Sequence, residues 1–130
     1  MRVLIFDDVL FHRQGDFAVS GAELRFFKHA DDAVALVSRL VPDLVLMDYA
    51  MDARLSGDEA ITQLRGRWPS GALRIVGISA DGGSNRMMLA AGADDAVLKS
   101  GLRGLVRAEL SRRGSRPEPA RDVSNKKETE

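Results

Sequence analysis

Short runs of Val, Ile, Leu and Phe recur along this sequence, and each run is followed by a turn and then by a stretch with helical spacing. This alternation predicts an α/β fold with a parallel sheet. Several runs are apolar on successive residues, which indicates that helices cover both faces of the sheet. The five predicted strands span residues 2–6, 24–29, 44–47, 74–78 and 96–98. Five strands in a chain of this length fit a small doubly wound sheet.

Helical spacing predicts four longer helices, over residues 31–40, 57–68, 84–91 and 102–113. The first of these begins with Asp31 and Asp32, which are acidic residues suited to a helix N-terminus. Each helix stops before a proline or a glycine, both of which commonly follow helix ends. The connection 9–22 contains two glycines and leaves room for a short first helix only.

Composition and charge exclude several classes of function. The chain has 130 residues, 45% of them apolar, which is enough for one domain with a core. Lys and Arg balance Asp and Glu at 19 each, and this argues against binding to nucleic acid or to an anionic membrane. Without cysteine there is no disulfide, thiolate nucleophile or Cys-ligated metal. No apolar stretch has the length of a signal peptide core or a membrane span, so we expect a soluble, cytoplasmic domain.

The composition changes after residue 113. Residues 114–130 contain no Leu, Ile or aromatic residue, but they include two prolines and eight charged residues of balanced sign. Such a segment cannot bury enough apolar surface to offset the entropy cost of ordering it. We therefore expect a folded domain over residues 1–113 and a disordered charged tail over residues 114–130.

Polar residues stand where the predicted strands end. Asp7 and Asp8 follow the first strand, Asp48 the third, Ser79 the fourth and Lys99 the fifth. The carboxyl ends of parallel strands face one edge of the sheet, and ligands of open α/β sheets bind in the crevice there. We therefore expect these residues to converge, although each alone is more often a turn, cap or solvated residue.

The residue types point to phosphoryl chemistry at a metal. Three carboxylates at one edge raise each other's pKa unless a cation joins them, and Mg²⁺ takes oxygen ligands of this kind. A carboxylate such as Asp48 can be a nucleophile that forms an acyl phosphate. Lys99 would supply a positive charge, and the Ser79 hydroxyl can donate to a phosphoryl oxygen.

Together these residues resemble the receiver domains of two-component response regulators, over about residues 1–113. The resemblance implies a flavodoxin-like sheet with strand order 2-1-3-4-5. It is carried by segments 3–8, 42–48, 57–60, 79–80 and 92–95, with Met51 and Lys99.

The resemblance also implies roles for individual residues. Asp48 would be the phosphoacceptor and a metal ligand, Asp8 a direct Mg²⁺ ligand, and Asp7 a ligand mostly through water. The backbone carbonyl of Ala50 would complete the protein ligands.

Ser79 and Lys99 would hold the phosphoryl group. The donor in this family is a phosphohistidine on a sensor histidine kinase or a histidine phosphotransfer protein. Such a protein is not an enzyme beyond catalysing its own phosphorylation and dephosphorylation.

The sequence departs from the family pattern near the site. Ser100 replaces the usual proline after the lysine, so a trans peptide bond is expected there. Ala96 stands where the switch aromatic is usual. The loop after Asp48 has Asp52 in place of a proline and is one residue longer. Ala50 has a side chain that cannot position a hydrolytic water.

Three functions are consistent with these residues. The leading hypothesis is a stand-alone, single-domain response regulator that is phosphorylated on Asp48 and signals through another protein. The alternative is a pseudo-receiver that acts as a phosphorylation-independent interaction module, which the missing aromatic and proline favour. A metal-dependent phosphatase is disfavoured, because Ala50 stands where a general acid is needed and no cap-sized insertion exists.

Surface residues indicate where partners would bind. One of the adjacent residues Met87 and Met88 must point outward and offer an apolar contact. His12 lies near the short first helix, where receivers meet their histidine-bearing partners, although an ordinary surface histidine is an equal alternative. In this family the last helices commonly mediate dimers, so a homodimer is one option. A basic stripe on the last helix comprises Arg103, Arg107, Arg112 and Arg113.

Overall fold

A computed structural model describes residues 1–115 of the chain, with side chains through Arg113. Within these residues, five parallel strands form one sheet in the order β2-β1-β3-β4-β5, which confirms the predicted fold class. The strands are β1 (Arg2–Phe6), β2 (Glu23–Phe27), β3 (Leu44–Asp48), β4 (Arg74–Ser79) and β5 (Asp95–Leu98). The helices are α1 (Asp8–His12), α2 (Ala33–Leu40), α3 (Gly57–Arg67), α4 (Gly82–Ala91) and α5 (Leu102–Ser115). Two short 3-10 helices span Gln14–Asp16 and Lys99–Gly101.

The helices divide between the two faces of the sheet. Successive residues of β1 point to opposite faces, so Leu4 and Phe6 lie in one core cluster and Val3 and Ile5 in the other. Helices α2, α3 and α4 pack over the first cluster, and α1 and α5 pack over the second. Burial on both sides explains why β3 is apolar at each position before its final Asp48.

Two helix starts differ from the prediction. The second helix begins at Ala33, so Asp31 and Asp32 precede it, and its N-cap Asp32 makes no side-chain capping bond. Helix α4 begins two residues early, because the Asp81 carboxylate accepts a hydrogen bond from the Ser84 N–H at 2.8 Å and caps the helix.

Other boundaries shift by one or two residues. Strand β2 ends at Phe27, so the predicted 24–29 strand was too long at its carboxyl end. Helix α5 continues through Gly114 to Ser115, past the predicted stop. Apart from those two residues, the predicted tail 114–130 lies outside the described residues.

A buried carboxylate fixes α5 against β4. Glu109 is 5% exposed, and its Oε2 atom accepts hydrogen bonds from the Arg74 guanidinium at 3.0 and 3.2 Å. Its Oε1 atom accepts a further bond from Arg112 at 2.7 Å. This ion pair lies on the element that follows Lys99, so it helps to set the position of α5 relative to the sheet.

Candidate functional site

The three predicted carboxylates meet at the carboxyl edge of the sheet. One oxygen from each of Asp7, Asp8 and Asp48 lies within 4.8 Å of the others. Asp7 and Asp48 are buried, at 0% and 4% exposure, and Asp8 is half-buried. Asp7 is also a helix cap, because its Oδ1 atom accepts a bond from the Leu10 N–H at 3.0 Å. Asp7 therefore caps α1 through Oδ1 and contacts Lys99 through Oδ2.

Lys99 reaches into this cluster from the end of β5. Its Nζ atom lies 2.9 Å from the Oδ2 atom of Asp7 and 3.4 Å from the Oδ2 atom of Asp48. Burial lowers the pKa of Lys99, but the two carboxylates outweigh this effect and the pKa is raised overall. Lys99 is therefore held as a cation beside Asp48.

The charged form of Asp48 is disfavoured in this arrangement. The pKa of Asp48 is raised to about 6, mainly by burial and then by the charge of Asp7. Lys99 and the hydrogen bond from the Tyr49 N–H, at 2.9 Å, act in the opposite direction. One lysine does not fully balance two buried carboxylates, so the cluster favours a further cation.

The residues present fit a divalent metal ion with oxygen ligands. Among the described residues, the close partner of the buried Oδ2 atom of Asp7 is the Lys99 Nζ at 2.9 Å. A carboxylate oxygen can accept from more than one partner, so this atom can bind a metal ion as well as Lys99. Three carboxylate oxygens within reach of one another match the ligands that Mg²⁺ takes in proteins.

Ser79 lies at the same edge but is engaged elsewhere. It is 2% exposed, and its hydroxyl oxygen lies 2.6 Å from the Asp81 carbonyl and 2.7 Å from the Oδ1 atom of Asn85. A serine has one hydroxyl hydrogen, so it can donate to only one of these acceptors at a time. Both acceptors belong to the start of α4, and Ser79 therefore ties that helix to the end of β4.

The loop between β3 and α3 packs tightly against the end of β3. The Gly57 N–H donates to the Tyr49 carbonyl at 2.7 Å and closes the loop. A Cβ atom on Gly57 would collide with the main chain of Asp48, and would lie 2.8 Å from the Asp48 carbonyl carbon and from the Tyr49 Cα. Ala50 and Asp52 are exposed residues of this loop.

The remaining predicted positions are placed as follows. Met88 is fully buried and Met87 is 48% exposed, so one of the pair does point outward, as expected. His12 is exposed on α1. Ala96 is half-buried on β5, and the peptide bond between Lys99 and Ser100 is trans, as expected.

Three contacts at this edge were not anticipated from the sequence. The Tyr49 hydroxyl donates to the Met87 sulfur at 3.3 Å, and Asn85 is a partner of Ser79. The Asp31 carboxylate accepts two bonds from the loop after Asp48. Nothing in the local sequence pattern marks these contacts.

Comparison with known proteins agrees with this geometry. The sequence matches the family model of the response regulator receiver domain over residues 3–110. The chain therefore belongs to the response regulator receiver domain family. No curated protein matches the sequence.

Solved structures share the fold. A LuxR-family two-component response regulator from an Aurantimonas species is 25% identical, with a TM-score of 0.68 over 88% of this chain and 86% of that chain. The response regulator domain of Thermotoga maritima CheB is 23% identical, with a TM-score of 0.63 over 86% and 92% of the two chains. A CheY-like receiver domain protein from Methanospirillum hungatei is 19% identical, with a TM-score of 0.69 over 87% and 95%.

Membership of the family establishes the general function. A receiver domain accepts a phosphoryl group in two-component signalling, interacts with histidine kinases or phosphotransfer proteins, and is in general not an enzyme in the usual sense. None of the helices within residues 1–115 has the length and hydropathy to cross a membrane.

Proposed function

We propose that Asp48 is the phosphoacceptor, and that it takes the phosphoryl group from a phosphohistidine on a sensor histidine kinase or a histidine phosphotransfer protein. The observation that supports this most is the placement of its carboxylate at the end of β3, with the Lys99 Nζ at 3.4 Å and two further carboxylates within 4.8 Å. Asp52, four residues later, is exposed in a loop and does not belong to the group of three carboxylates.

The residues that would hold Mg²⁺ are Asp7, Asp8 and Asp48, together with the backbone carbonyl of Ala50. Mg²⁺ bound there would neutralise the charge of the phosphoryl oxygens. The Oδ2 atom of Asp7 supports this assignment, since it is buried beside the cluster and Lys99 is its one close partner within the described residues.

The chemical step needs positioning more than acid or base catalysis. A carboxylate oxygen of Asp48 attacks phosphorus, the bond between phosphorus and the histidine nitrogen breaks, and that nitrogen keeps the electron pair. The Lys99 ammonium balances the negative charge on the phosphoryl oxygens. The product is an acyl phosphate on Asp48.

Phosphorylation would be sensed at the start of α4. For the Ser79 hydroxyl to donate to a phosphoryl oxygen, it must leave Asp81 and Asn85, its two acceptors in the present structure. The exchange removes a tie between β4 and α4 and shifts the population of α4 positions. This route does not need an aromatic residue at Ala96.

The output would pass through protein contacts on the α4 and β5 surface. Met87, Leu89 and Leu98 are 48%, 45% and 51% exposed, which is unusual for large apolar side chains on neighbouring elements. We propose that this surface, with α5 beside it, binds an output protein or a second copy of the chain. Neither nucleic acid nor a membrane is proposed as a partner.

Intact mass spectrometry tests the proposed function. The protein is incubated with a small phosphodonor such as acetyl phosphate, with and without Mg²⁺. We expect a gain of one phosphoryl group that requires Mg²⁺, is absent in Asp48→Asn and persists in the matched control Asp52→Asn. Equal gain in Asp48→Asn would contradict the assignment. No gain in the wild type would favour a phosphorylation-independent interaction module.

A further inference from the structure

The loop between β3 and α3 has few ties to the rest of the molecule. Its ends are closed by the bond from the Gly57 N–H to the Tyr49 carbonyl, and the Ala53 N–H donates to the Met51 carbonyl within the loop. This loop carries Ala50, whose carbonyl is the proposed fourth protein ligand of the metal. With so few bonds of its own, the loop needs a contact from outside to fix its path.

Asp31 provides that contact. Its Oδ1 atom accepts the Leu55 N–H at 3.0 Å, and its Oδ2 atom accepts the Arg54 N–H at 3.3 Å. Within the described residues, these are the only hydrogen bonds that join segment 50–55 to another element. Each oxygen of the Asp31 carboxylate thus accepts a hydrogen bond from one of two consecutive main-chain N–H groups.

The carboxylate of Asp31 has no competing role in its own helix. The N-cap of α2 is Asp32, and neither acidic residue makes a side-chain capping bond to that helix. Burial raises the pKa of Asp31, but the two main-chain bonds outweigh this and lower it, as expected for a carboxylate that accepts N–H groups. The Asp31 side chain is 20% exposed, so the contact is partly shielded from water.

The geometry points to Asp31 as a positioning residue for the metal site: it clamps the loop after Asp48 and holds the Ala50 carbonyl in place from outside the loop. Asp31 does not touch the acidic cluster in this role and acts through the main chain of Arg54 and Leu55. The inference rests on the proposed function, because the ligand role of Ala50 belongs to that proposal.

The test uses the full chain and three variants. Asp31→Ala removes both bonds, and Asp31→Asn leaves one acceptor oxygen. Asp32→Ala is the matched control, because it removes the same charge from the neighbouring residue without touching the loop. Mg²⁺ affinity is measured from the shifts of the Asp8 and Asp48 amides in a titration. Hydrogen exchange at the Arg54 and Leu55 amides is measured without metal, and thermal unfolding confirms that each variant is folded.

We expect Asp31→Ala to weaken Mg²⁺ binding by about tenfold, at the lower end of the effect of residues that orient metal ligands. Asp31→Asn should fall in between, and Asp32→Ala should bind like the wild type. Hydrogen exchange at the Arg54 and Leu55 amides should be faster in Asp31→Ala than in either of the other two variants.

Two results would overturn the positioning role: unchanged Mg²⁺ affinity in Asp31→Ala, or an equal loss in Asp32→Ala, which would show a simple charge effect. Failure of the proposed function looks different, since then the wild type itself would bind no Mg²⁺ or gain no phosphoryl group.

Discussion

Replacing Gly57 by alanine places a methyl group against main-chain atoms that cannot move without displacing Asp48. The new Cβ would collide with the Asp48 carbonyl oxygen and would lie 2.8 Å from both the Asp48 carbonyl carbon and the Tyr49 Cα. The bond that closes the loop, from the Gly57 N–H to the Tyr49 carbonyl, would be strained as well. We expect a loss of about 2–3 kcal/mol in the free energy of unfolding, in the upper part of the range for overpacked interiors.

Gly66→Ala is the matched control, because it makes the same change in the same helix. A Cβ on Gly66 would meet nothing within 4 Å, so only helix propensity changes. Alanine should therefore stabilise the protein by about 0.5–1 kcal/mol at that position. The two variants should differ by about 3 kcal/mol, which is the sum of the two effects.

Urea denaturation followed by circular dichroism measures the difference. With an m-value of about 1.5–3 kcal/mol/M, the two midpoints should lie about 1–2 M apart. Gly57→Ala should also lose part of its phosphorylation, because Asp48 is displaced. If both variants shifted the midpoint in the same direction, or if Gly57→Ala were as stable as the wild type, the steric reasoning would be wrong.

Two further substitutions probe the ion pair on α5 and the tie to α4. Burial raises the pKa of Glu109, but bonds from Arg112 and Arg74 outweigh it and lower the pKa below its usual 4.5. Above pH 4.5, Glu109→Gln should therefore cost about 1–2 kcal/mol of unfolding free energy. This cost fades as the pH falls through the lowered pKa of Glu109. A pH-independent difference in urea titrations would contradict this. Asn85→Ala removes one competing acceptor of the Ser79 hydroxyl, so the phosphorylated fraction at limiting phosphodonor should rise about two- to fivefold. An unchanged fraction by intact mass would show that Asn85 does not restrain Ser79.

The sheet could be predicted from the sequence because its signal is local. The buried strands are runs of apolar residues, and parallel order then follows from the helices between them. The same topology predicts that Asp7, Asp48 and Lys99 approach one another, since each ends a strand at the same edge. The prediction needed only strand ends, and the structure brings these three residues together.

The contacts that loops make could not be predicted in this way. The sequence predicts Asp31 at the N-terminus of a helix. Its carboxylate instead accepts hydrogen bonds from a loop more than twenty residues later. Asn85 occupies the first turn of α4, and its contact with Ser79 depends on that helix starting at Gly82. Glu109 would be placed on a solvated face by its charge, but packing against Arg74 buries it. In each case the partner is selected by three-dimensional packing and not by spacing.

The position of Tyr49 gives the protein two separate optical probes. The chain has one tyrosine and one tryptophan. Tyr49 follows the Asp48 carboxylate directly, while Trp68 comes after the end of α3, about 16 Å further along that helix. A near-ultraviolet difference spectrum in the tyrosine band therefore reports on charge at the acidic edge, because the unchanged Trp68 contribution cancels, and the emission of Trp68 reports on unfolding at the opposite end of the sheet. Both events can be followed in one unlabelled sample.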